Sequence, residues 1–131
     1  MIEEAYVSFE TAKLLKEKGF NEKVSRWYVA NSPQEGVVTI GFGDKQLYIN
    51  APTQQMAMKW LREVHKMYVC IDIKCFMPHL GEIDGYSACI WYKPENNAGI
   101  CCYCVYLPKQ QEASYEAATE AAIKYSLENL I

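Results

Sequence analysis

The sequence predicts an α+β fold, a single domain with the element order α-βββ-α-βββ-α, an antiparallel sheet and amphipathic helices. Three observations carry that reading. Three stretches place apolar residues at helical spacing, each with a hydroxyl residue in front of it. Two sets of three short extended runs are divided by Pro, Gly, Asn and Asp. Helices and strands come in groups instead of alternating one for one, which is not the pattern of a parallel doubly wound sheet.

The first helix is predicted over Phe9 to Lys18. Ser8 is its N-cap, and Gly19 stands where a left-handed C-terminal turn favours a residue without a Cβ. Ala12, Leu14 and Leu15 supply the inner stripe, and Glu10, Lys13, Lys16 and Glu17 face water. Val24 to Ala30, Val37 to Phe42 and Gln46 to Ile49 follow as strands, and the turn residues between them suggest an antiparallel meander. Pro52 and Thr53 start a second helix that runs to about His65, with Met56, Ala57, Trp60, Leu61 and Val64 as its apolar band. Three more strands span Tyr68 to Phe76, Tyr86 to Lys93 and Ile100 to Leu107. Ser114 caps a last helix through Asn129, where Glu116, Glu120, Lys124 and Glu128 form an i,i+4 stripe expected to face solvent, opposite an alanine-rich side.

The 131 residues are half apolar and 22% charged, a balance that supports a folded core and excludes a disordered chain. A formal charge of −3 gives no global basic field for phosphate or anionic lipid. No apolar run approaches the ~20 residues of a membrane helix, and the acidic start MIEEAYVSFE is unlike a signal peptide, so the expected location is the cytoplasm. Six cysteines in that compartment are expected as thiols and not as disulfides.

Three blocks, VSFETAKLLKEKGFNE (7–22), APTQQMAMKWLREVH (51–65) and YEAATEAAIKYSLENLI (115–131), span both ends and the central helix. Together they resemble a family of small uncharacterised proteins from Bacteroidetes genomes and their phages or prophages. The resemblance implies an origin in a phage or mobile element and brings no activity, cofactor or catalytic residue with it. The layout from Thr53 to Ile131 is also similar to that of a double-stranded-RNA-binding domain. Such domains place lysines at the start of their last helix, where this chain has Glu112, Glu116 and Glu120, whose charge repels an RNA backbone.

The soft ligands Cys70, Cys75, His79, Cys101, Cys102 and Cys104 have no spacing diagnostic of zinc. On a strand Cys70 and Cys75 point to opposite faces, and so do the adjacent Cys101 and Cys102. Nothing selects a Cys-His catalytic pair with His65 or His79, and GxSxG, HExxH, P-loop and GxGxxG motifs are absent. Neither a cofactor nor a metal nor a catalytic residue is assigned. A cysteine-dependent enzyme is the alternative reading, and a nucleic-acid-binding module a further one.

Ten tyrosines and three tryptophans suit a half-buried surface, where the ring packs on a partner and the polar tip stays bonded. Alternation along the last three strands collects Tyr68, Cys70 and Asp72; Ser87, Cys89 and Trp91; and Cys102, Cys104 and Tyr106 on one face. Val69, Ile71, Ile73, Tyr103, Val105 and Leu107 form the helix-facing set on the outer strands, while Ala88 and Ile90 make the middle strand ambiguous. The expected role is a protein-binding or self-associating module. Its partner surface is Tyr68, Trp91, Cys102, Cys104 and Tyr106; cover by the chain's own strands and connections is the competing explanation.

Overall fold

A computed structural model describes residues 2–29, 37–38, 48–74, 85–93, 103–107 and 112–131. Three α-helices and two three-stranded antiparallel sheets are seen among them, so the α+β class holds. One continuous apolar core gathers residues from the helices and both sheets, including Leu15, Tyr28, Ile49, Trp60, Leu61, Ile90, Ile123 and Leu127. No helix among the described residues is long and apolar enough to cross a membrane.

The helix signals work as local chemistry dictates. In α1 (Phe9–Glu17) the Ser8 hydroxyl accepts from Thr11 N–H, and Gly19 takes the positive φ of 95° that ends the helix. In α2 (Gln54–His65) Thr53 caps Met56 N–H in the same way. Lys66 then adopts a left-handed conformation and its amide bonds Leu61 O. The buried band of α2 is rotated from the one expected: Ala57, Met58, Trp60 and Leu61 are buried, while Met56 and Val64 lie at the surface. The cause is that α2 packs against both α3 (Tyr115–Tyr125) and β4 (Tyr68–Lys74), which draws the Met58 side inward. Ser114 caps α3 through Ala117 N–H, and the helix runs on into a π-helical turn at Ser126–Leu130.

The first sheet differs from a meander. β1 (Trp27–Val29) lies in the middle, flanked by β2 (Val37–Val38) and β3 (Tyr48–Asn50). Burial accompanies the order: Tyr28 pairs with Ile49 across β1 and β3, and both lie in the core. The extensions predicted at 39–42 and 46–47 lie outside the described residues. The second sheet is the expected meander, β4-β5-β6, with β5 at Gly85–Tyr92 and β6 at Tyr103–Tyr106. Beyond β6 the chain rejoins β5 at Glu112, which exchanges both backbone hydrogen bonds with Tyr86, at 2.9 and 2.7 Å.

The charged stripe on α3 is not solvent-facing throughout. Lys124 Nζ meets Glu10 on α1 at 3.0 Å, an exposed ion pair. Glu120 turns toward the neighbouring helices, where its Oε1 accepts from Ser8 N–H at 2.9 Å and from the Thr11 hydroxyl at 2.6 Å. Gln54, the first residue of α2, donates to Glu116 O at 2.9 Å and to Glu120 Oε2 at 3.4 Å. In the usual capping box an acid three residues past the N-cap reaches back to the N-cap amide. Thr11 occupies that place in α1, and Glu120 supplies the missing carboxylate from α3. Beside this cluster, burial and the charge of Glu120 push the Tyr28 hydroxyl up, so it keeps its proton and donates to Val7 O at 2.6 Å.

Candidate functional site

Alternation on β5 divides the second sheet into two environments. Ala88 and Ile90 point into the core, where Leu107 joins them and Val69, Ile71 and Tyr92 pack alongside. α3 lies against β5 and β4. This settles the middle strand, since Ala88 and Ile90 belong to the helix side while Ser87, Cys89 and Trp91 lie on the other. Ile73 and Tyr103 depart from the expected core: they share the parity of Val69, Ile71 and Val105 but are 59% and 47% exposed, at the ends of β4 and β6 where the helix side leaves them uncovered.

The pairing register builds the opposite face in rows. Tyr68, Trp91 and Cys104 lie directly across from one another in the first. Cys70, Cys89 and Tyr106 form the second, and Asp72 opposite Ser87 begins the third. Tyr68 is 49% exposed, Trp91 44% and Tyr106 63%, which leaves three large rings at the surface of one sheet face. Cys70 and Cys104 are half-buried, whereas Cys89 between them is only 5% exposed. Four of the five residues assigned to the surface from sequence, Tyr68, Trp91, Cys104 and Tyr106, are therefore brought together. The fifth, Cys102, lies outside the described residues, as do Cys75, His79 and Cys101.

The cysteines at this face are free thiols. Burial, a hydrogen bond with Cys104 and the proximity of Cys70 and Asp72 push the Cys89 thiol up to about 12, so it keeps its proton near neutral pH. A nucleophilic cysteine is shifted in the opposite sense. His65 sits in the last turn of α2 with its ring edge-on to Trp60 at 4.7 Å. No group of three ligating side chains placed to hold a metal ion occurs among the described residues.

Sequence reasoning missed the polar cluster centred on Glu120. A partial signal was present: Ser8-x-x-Thr11 is a capping box lacking its acid, but the sequence does not single out Glu120 from the other charged residues of the last helix. All the contacts of that cluster tie helices together, so its chemistry is structural. Comparison with family models, with curated proteins and with solved structures finds no match.

Proposed function

We propose that this chain is a cytoplasmic protein-binding or self-associating module of phage or mobile-element origin, working without a cofactor through the outer face of the β4-β5-β6 sheet. The observation that carries the role is the alignment of Tyr68, Trp91 and Tyr106 on the face turned away from the core, each ring at least 44% exposed. Rings of this kind offer apolar area with a polar tip and lose little conformational entropy on docking. The origin rests on the resemblance of the three sequence blocks alone. The cysteine-enzyme alternative calls for an easily ionised thiol, and Cys89 is displaced the other way. The nucleic-acid alternative meets the acidic total and Glu116, exposed at the start of α3.

Sedimentation velocity over a range of protein concentrations tests self-association directly, and Trp91→Ala and Tyr106→Ala test the face. Both substitutions are expected to weaken association while leaving circular dichroism and thermal unfolding largely intact. If both instead mainly destabilise the monomer, the face is core and the proposed role is wrong.

A further inference from the structure

From the strand register we infer that the outer edge of β4 is a dimer interface, where a second copy of this chain pairs its own β4 antiparallel about a twofold axis at Ile71. The edge is a different surface from the aromatic face, and the pairing does not depend on what that face binds.

Backbone polarity shows which groups of β4 are open. Tyr86 directs both its N–H and its C=O to Glu112, and Ala88 O accepts from Leu107 N–H, so the even-numbered residues of β5 bond toward β6 and the odd-numbered ones toward β4. Cys89 stands opposite Cys70, so the even-numbered residues of β4 bond back to β5. Val69, Ile71 and Ile73 therefore send their N–H and C=O groups outward, and no backbone hydrogen bond meets them among the described residues.

This edge lacks the usual defences against pairing. Its seven residues match β5 one for one, without a bulge, and include neither Pro nor Gly. The other edge strands, β2, β3 and β6, are described over only two, three and four residues. β5, α2 and α3 are the described elements that pack most against β4, and no strand among the described residues continues the sheet beyond it.

The strand fits a second copy of itself. Its middle residue, Ile71, belongs to the outward-bonding set, so an axis there pairs Val69 with the partner's Ile73 and Ile71 with the partner's Ile71 and leaves no residue of the strand over. On the helix side every such pair is then β-branched. Ile73, 59% exposed on its own chain, comes to lie against Val69, which packs on the partner's core. On the other face Cys70 stands opposite the partner's Asp72, so like charges are not placed directly across from each other. The three hydrogen-bonded pairs exchange two bonds each, and at one bond per 100–200 Å² they imply about 600–1,200 Å² of buried surface, close to the 1,000 Å² or so of a specific interface. A weak dimer that forms with rising concentration follows.

The test combines sedimentation velocity with NMR on the 131-residue chain. The parent protein is expected to pass from monomer to dimer as concentration rises, while the Val69, Ile71 and Ile73 amides gain protection from hydrogen exchange. In a mixture of isotope-labelled and unlabelled protein, a filtered NOE should join the α-protons of Cys70 and the partner's Asp72, a non-hydrogen-bonded pair with Cα atoms about 4.5 Å apart. Ile73→Pro removes an outward donor and spares the ladder to β5, so it should weaken the dimer by about tenfold or more. If proline unfolds the strand, Ile73→Lys puts a charge against the partner's Val69 instead and should weaken the dimer likewise. Trp91→Ala should leave this dimer in place and remove only a further step, from dimer to tetramer, made by the aromatic face. Three results would overturn the inference: a monomer at every concentration, a dimer lost in Trp91→Ala but kept in Ile73→Lys, or an intermolecular NOE in another register. The first leaves the protein-binding reading of the aromatic face standing, and the second supports it.

Discussion

Ile90 and Trp91 are neighbours on one strand with opposite fates. Ile90 is fully buried beneath the helices, and Trp91 stands 44% exposed on the far side of the same sheet. Both are large and apolar, so hydrophobicity alone does not separate core from surface here. The difference lies in what each face is given to pack against. α3 lies over Ala88 and Ile90, whereas Cys89 and Trp91 share their face with cross-strand tyrosines and thiols. Trp91 therefore lies outside the helix-side core, on the face proposed above for association.

The largest effect should come from the buried side. Ile90→Ala removes a fully buried side chain and is expected to cost about 2–5 kcal/mol, measured by urea denaturation. A loss under about 1 kcal/mol would erase the contrast between the faces. Next is the polar cluster that holds α3 in place over the sheet. Glu120→Ala leaves Ser8 N–H and the Thr11 hydroxyl without their acceptor and should cost about 1–3 kcal/mol, with Glu120→Gln recovering part of it because its amide oxygen still accepts.

A pH titration sharpens the comparison at Cys89, which faces outward by parity yet is nearly buried. Its pKa is raised on folding, so the folded state holds the proton longer than the unfolded chain. That contribution is fully present below the ordinary thiol range and is lost as pH rises from there toward about 12. Denaturation between pH 8 and 11 should show stability falling less steeply in Cys89→Ala than in the parent protein. The smallest effect on stability belongs to Tyr106→Ala, at 63% exposure: a change within about 0.5 kcal/mol, together with weakened association in sedimentation.

Much of this was legible because it is written locally. Ser8, Thr53 and Ser114 cap the helices they precede, and the period of two along Tyr68 to Asp72 sorted the faces of that strand, whereas the middle strand was settled only by the burial of Ala88 and Ile90. What escaped was set by distant partners. β1 is the centre of its sheet, with Tyr28 paired to Ile49 in the core, and no spacing within either strand records that pairing. Ile73 carries the alternation of a core residue, but its exposure depends on how much of the sheet the helices cover. Glu120 matched the surface stripe by period and was drawn inward by Ser8 and Thr11, more than a hundred residues earlier.

That long reach orders events in time as well as space. Synthesis delivers α1, with its N-cap serine in place, well before α3, and the carboxylate that completes the cap is 112 residues further along the chain. Until α3 has emerged, the Ser8 amide and the Thr11 hydroxyl have only water or a passing side chain to bond. The cap of α1 is thus finished only after α3 has been made, and closing that loop is an entropic cost met only when α3 arrives.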